Sequence, residues 1–203
     1  MNHLLMTQFV QHYHLSIFHI SDWYEETIAP YFEIEDTNTH ELKLHTNKNC
    51  GMARFANPNG LKFIIVNYDK FITSIADESF KHGKQRCDMM INSVTEHYFI
   101  LGELKDRMPN TKVRSAAKKQ LLVSLQTLWH VPEIQRYIDS KVVKRCCYFN
   151  KQASAPNGIN AIQAFNRLSN HVSDGIQMNS PEIESMGFDF YEYTGMQMMT
   201  FIN

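Results

Sequence analysis

Asp88, Glu103 and Lys105 are the residues of this chain whose types and spacing could do chemistry. Glu103 and Lys105 are two apart in the apolar run Tyr98-Phe99-Ile100-Leu101-Gly102-Glu103-Leu104-Lys105. On a strand they share one face, and Gly102 and Leu104 share the other. Arg86-Cys87-Asp88-Met89-Met90-Ile91 precedes that run, and a two-residue turn at Thr95-Glu96 makes a hairpin of the two. In that register Asp88 falls opposite Glu103, with Cβ atoms roughly 4.5–5.5 Å apart. A slip of one residue would separate the faces. Opposed carboxylates on a mostly apolar sheet are costly unless a positive charge offsets them. A divalent cation does so, and oxygen ligands suit Mg²⁺ or Mn²⁺. The chemistry would be a cation that polarises a phosphoryl oxygen and activates a bound water. Lys105 would orient that water or stabilise the developing charge.

The elements that must position these residues are read from periodicity and punctuation. The first fifty residues read as largely helical, with Ser21 capping a segment over Asp22–Glu26 that Pro30 ends. Asn57-Pro58-Asn59-Gly60 is a tight turn, and Leu61–Tyr68 is a β-branched and aromatic strand. Asp77–Lys84 is a loop or short helix. The hairpin follows, and Pro109-Asn110 breaks its second strand. A helix over Thr111–Leu128 has Val113, Ala117, Leu121, Leu125 and Leu128 as its apolar stripe. Lys141–Phe149 reads as a strand. Pro156-Asn157-Gly158 turns the chain into a last helix with Ile159, Ile162, Phe165, Leu168 and Val172 on one face, stopped at Asp174-Gly175. The aromatic and Met-rich tail, Phe188–Ile202, is an edge strand, a docking segment or a dimer contact. The order favours a single α/β domain over 1–203, with a central sheet sandwiched by helices.

Asp-x14-Glu-x-Lys, set on successive apolar strands, resembles the PD-(D/E)XK, or restriction-endonuclease-like, nuclease superfamily. The resembling stretch is about 61–150, between a helical N-terminal part and a C-terminal extension. The resemblance implies a restriction-endonuclease-like core: a central mixed sheet flanked by helices, in the order helix, three strands, helix, strand. It implies Asp88, Glu103 and the Leu104 carbonyl as metal ligands, with Lys105 catalytic. The run Ala116-Ala117-Lys118-Lys119-Gln120-Leu121 looks like the helix that often carries a Gln facing the active site, which gives Gln120 a positioning role. Cys87 stands where the eponymous proline would be. The family's upstream acidic residue has Glu25, Glu26 and Glu78 as candidates. The implied activity is Mg²⁺- or Mn²⁺-dependent hydrolysis of phosphodiester bonds in DNA, and less so RNA, in restriction, repair or defence. Enzymes that cut both strands commonly pair two active sites, so a homodimer is a family-level expectation.

Charge and composition sort the rival classes. The net charge is −1, yet residues 84–152 carry 13 Lys/Arg against 6 Asp/Glu. A local positive field of that kind suits phosphate binding. Its contributors after the Glu-x-Lys strand are Arg107, Lys112, Arg114, Lys118 and Lys119, which equally suit a solvated helix face. The longest apolar runs are too short to span a bilayer, and the first residues lack a basic leader, so a soluble cytoplasmic protein is expected with no membrane partner. Cys50, Cys87, Cys146 and Cys147 form no CxxC pair and read as thiols of a reducing compartment. His12 and His14 carry little weight as ligands, Trp129 reads as core, and no serine has a nucleophile-elbow context. A non-catalytic nucleic-acid- or protein-binding domain is the alternative, and an adhesive tail over Phe188–Ile202 is a third.

Overall fold

The computed structural model describes residues 1–17, 23–37, 39, 41–81, 85–152 and 175–202. Eleven strands among them form two sheets. They are β1 (Tyr24–Thr27), β2 (Tyr31–Asp36), β3 (Leu42–His45), β4 (Ala53–Ala56), β5 (Phe63–Asn67), β6 (Met89–Ser93), β7 (Tyr98–Lys105), β8 (Val143–Asn150), β9 (Ile176–Met178), β10 (Asp189–Thr194) and β11 (Met199–Thr200). The seven-stranded sheet runs β1-β5-β6-β7-β8-β10-β9 and the four-stranded sheet β11-β4-β2-β3. In the larger sheet β1, β5, β6 and β7 are antiparallel neighbours, whereas β7, β8 and β10 are parallel. A parallel β7–β8 pair requires a long crossover. Helices α5 (Thr111–Trp129) and α6 (Pro132–Asp139) supply it.

Both faces of the large sheet are covered, which accounts for its uninterrupted apolar runs. Val66, Met90, Phe99, Leu101, Cys146 and Tyr148 face α5, α6 and the N-terminal helical segment. That segment comprises α1 (Asn2–Leu4), a π-helical stretch (Leu5–Phe9) and α2 (Val10–His12). The alternate residues Phe63, Ile65, Met89, Ile91, Ile100, Leu104, Cys147 and Phe149 face Phe32, Ile34 and Phe55 of the four-stranded sheet. Short helices α3 (Tyr68–Thr73), α4 (Glu78–Lys81) and α7 (Pro181–Glu184) complete the described elements.

The mixed α/β class holds, and β5 to β8 lie where the sequence puts strands. The N-terminal part differs. Beyond α2 it is strands, not helix, and Tyr24–Thr27 lies on β1 in antiparallel register with Val66 to Phe63. Tyr24, Glu25 and Glu26 are exposed there, as suits a charged sheet edge. In β2 the alternation of Phe32, Ile34 and Asp36 is a period of two, and pairing on both sides overrides helix propensity. The tail differs too. β10 lies inside the sheet between β8 and β9, and Phe188, Phe190, Tyr193, Met199 and Phe201 are buried, so most of its apolar surface is core. Ser21, Asp22 and the expected helix through Ile159–Val172 lie outside the described residues. The turn at Asn57–Gly60 is present: Gly60 N–H donates to Asn57 O at 3.1 Å with Gly60 at φ +62°. Cys87, Cys146 and Cys147 are buried thiols and Cys50 is half-buried. No helix among the described residues is long and apolar enough to cross a membrane.

Candidate active site

The β6–β7 ladder pairs Met89 with Gly102, Met90 with Leu101, Ile91 with Ile100 and Asn92 with Phe99. This is the register that sets Asp88, the residue just before β6, beside Glu103. The connection is wider than a two-residue turn. The ladder ends at Asn92–Phe99, Tyr98 N–H donates to Ser93 Oγ at 2.8 Å, and the buried Lys141 ammonium donates to Ser93 O and Thr95 O. The loop lengthens equally on both strands, so the register survives. Gly102 lets Met89 pack against the backbone: a Cβ there would lie 2.4 Å from Met89 Cε and 2.8 Å from its Cγ, so that side chain would have to move.

The three side chains converge. Lys105 Nζ donates to Glu103 Oε1 and stands 4.0 Å from Asp88 Oδ2. Asp88 Oδ2 accepts the Leu104 N–H at 2.6 Å. It is thus the Leu104 amide, rather than its carbonyl, that touches the carboxylate. Glu103 has no exposed surface, and its Oε2 has no hydrogen-bond partner.

The segment carrying Asp88 is held from two sides. From α3, Tyr68 N–H donates to Asp88 O at 2.9 Å, and Asp69 accepts from Arg86 Nε. From α5, Ser124 Oγ accepts the Cys87 N–H at 2.8 Å, and Gln120 Nε2 donates to Arg86 O at 3.0 Å. Gln120 lines the same cleft as Asp88, with its amide bonded to the backbone two residues before that aspartate.

Asp88, Leu104, Lys105 and Gln120 line an open cleft of about 530 Å³ at the end of the large sheet. Three further carboxylates, Asp36, Asp69 and Asp106, line it. Sequence reasoning singled out none of the three as site residues. None of the three upstream candidates is there. Glu25 lines a separate cavity with Trp23 and Lys70, Glu26 pairs with Lys62 at 2.6 Å, and Glu78 pairs with Lys81 on its own helix. Asp69 stands in the first turn of α3, where Asn67 Oδ1 accepts Lys70 N–H at 2.8 Å.

Electrostatics show the cost of the arrangement. Burial raises the Asp88 carboxyl from 3.8 to about 6, against the pull of Lys105 and the Leu104 N–H. Burial and the neighbouring Asp88 push Glu103 well above the carboxylate range. Burial lowers the Lys105 ammonium, but Glu103 and Asp88 more than offset it, so its net shift is upward. With Glu103 counted, five carboxylates meet three cationic side chains, Arg86, Lys105 and Arg107.

Carboxylates thus outnumber cationic side chains at this end of the sheet. No three His, Cys, Asp or Glu side chains among the described residues stand close enough to enclose a metal ion. On the basic side, Arg114 is taken by Glu192 at 2.8 Å and Lys118 by Glu182 at 3.1 Å. Arg107, Lys112 and Lys119 are exposed. Compared with known proteins, the chain matches no family model, no curated protein and no solved structure.

Proposed function

We propose that the protein is a Mg²⁺- or Mn²⁺-dependent nuclease, hydrolysing phosphodiester bonds in DNA ahead of RNA, with Asp88, Glu103 and Lys105 as its centre. The observation that carries this reading is the buried Glu103 carboxylate. One of its oxygens is bonded to Lys105 and the other lacks a partner; Glu103 is itself buried, and Lys105 and Asp88 line the open cleft. A stability role alone explains that poorly, because an unsatisfied buried carboxylate oxygen costs on the order of 1–3 kcal/mol or more. The order β5-β6-β7-α5-β8 within the seven-stranded sheet also agrees with a restriction-endonuclease-like core.

Asp88 and Glu103 would hold the cation, with the Leu104 carbonyl as the ligand the resemblance adds. When bound, the cation supplies Lewis-acid polarisation of a phosphoryl oxygen and a water of lowered pKa. Lys105, already bonded to Glu103, stands where its ammonium can orient an attacking water and offset charge on the transferring phosphoryl group. Gln120 fixes the backbone before Asp88. Arg107, Lys112 and Lys119 offer contacts to the phosphate backbone, which position a strand without reading its bases.

Incubation with plasmid, linear and single-stranded DNA and with RNA, in Mg²⁺, Mn²⁺ or EDTA, tests the proposal. Cleavage is expected only with metal, and it disappears in Asp88→Ala and Lys105→Ala variants that retain the wild-type circular dichroism. A Lys105→Ala variant that still cleaves removes Lys105 from the chemistry. Salt-sensitive binding without cleavage of any substrate favours a non-catalytic nucleic-acid-binding domain.

A further inference from the structure

The two sheets part at their edges. β1 ends the seven-stranded sheet and β3 ends the four-stranded one. Between them lies a cavity of about 290 Å³, near the lower end of the range for small-molecule sites. Its floor is apolar, with Trp23, Ile34 and Ile65 buried around it. Its rim is charged. Glu25 is paired with Ile65 in the β1–β5 register, so its side chain shares the face turned to the smaller sheet. Lys43 comes from β3, on the opposite wall. Both are exposed, and among the described residues neither side chain has a hydrogen-bond or ion-pair partner. A further rim group, Lys70, is held by Glu41 at 3.0 Å. The first turn of α3 separates this cavity from the cleft: Asn67 and Lys70 line the one and Asp69 the other.

We infer that this cavity is a binding site for a small zwitterion with an apolar side chain, of the free amino-acid class, its ammonium on Glu25 and its carboxylate on Lys43. The inference stands apart from the nuclease reading of the cleft. An uncharged ligand would take water from Glu25 and Lys43 and give no hydrogen bond in return, which is costly. A ligand of one charge sign satisfies one of the two and sets its charge against the other. A zwitterion meets both through charge-assisted hydrogen bonds, which are the strong ones. Its side chain then covers the apolar floor formed by Trp23, Ile34 and Ile65.

Phenylalanine is the probe, followed by calorimetry on the wild-type chain and by Trp23 emission in a Trp129→Phe background, since the chain has these two tryptophans. Phenylalanine binds saturably and shifts the Trp23 emission. Phenylpropionate lacks the ammonium and phenethylamine lacks the carboxylate. Each binds about tenfold more weakly, as expected for the loss of a hydrogen bond between charged groups. Glu25→Gln and Lys43→Met each weaken phenylalanine by about the same factor. Their melting temperatures stay at the wild-type value, because both side chains are exposed. Asp88→Asn binds phenylalanine like wild type, whatever that change does at the cleft. Equal affinity for the three probes overturns the zwitterion class. Wild-type affinity in both Glu25→Gln and Lys43→Met puts the binding elsewhere and overturns the site. A wild-type chain that binds none of the three overturns it as well.

Discussion

Asp88 is held by its neighbours at a protonation balance that a bound cation would reverse. Its folded pKa of about 6 lies above the ordinary 3.8, because burial disfavours the charged form. The folded state therefore binds more protons than the unfolded state between those values, and stability falls as pH rises through the window. The metal-free protein should lose up to about 3 kcal/mol from this group between about pH 4 and pH 6, at 1.36 kcal/mol per unit. Melting curves in EDTA across that range check it: Asp88→Asn should flatten the decline, and an unchanged slope would refute the assignment. At this scale the sequence was informative where residues are near in the chain. Counting along a hairpin suffices to set Asp88 beside Glu103. Asp36 and Asp69 were not legible, because only the packing of β2 and α3 around the cleft brings them to Lys105. The wrong upstream acids were favoured for the same reason: Glu25 and Glu26 stand on an edge strand whose register with β5 no local pattern specifies.

Among the elements, α5 does more than cover the sheet. Its buried face is Ala117, Leu121, Ser124, Leu125 and Leu128, and the one polar member accepts the Cys87 amide beside Asp88. Ser124→Ala leaves that buried N–H unpaired, at a cost of about 1–3 kcal/mol. The expected result is a lower denaturant midpoint, with a drop in metal-dependent cleavage larger than the stability loss explains. An apolar stripe read at helical spacing locates the helix but passes over Ser124, whose value lies in what it faces. The strands of the large sheet were readable because burial on both faces makes them near-continuous apolar runs. β1 to β3 were not, since strands of four to six residues carry too short an alternating pattern, and the Glu residues of β1 and β2 are helix formers. The tail was ambiguous for the opposite reason: its aromatic content fits a docking surface as well as the interior strand β10 that it forms.

For the molecule as a whole, the proposed nuclease activity makes the balance between acidic cleft and basic surroundings the feature that would govern substrate approach. Exposed Arg107, Lys112 and Lys119 follow directly on the β7 strand that ends the site. Neutralising Arg107 or Lys119 with alanine should weaken nucleic-acid binding in EDTA at every sequence tested. Each change should reduce the slope of log K against log salt by about 1. An unchanged slope would place the substrate elsewhere on the surface. The cleft is a joint product of two sheets, and one late segment ties them together. Leaving β10, the chain crosses to the four-stranded sheet, where β11 pairs with β4 and Arg54 Nη1 donates to Gly195 O across 141 residues of sequence. At about 5–20 residues per second of synthesis, Gly195 emerges roughly 7–28 s after Arg54. Until then β4 lacks its outer partner and Phe201 is missing from the stack formed with Phe32 and Phe55. The wall that carries Asp36 thus waits on β11, which imposes a delay between synthesis of β4 and closure of the cleft.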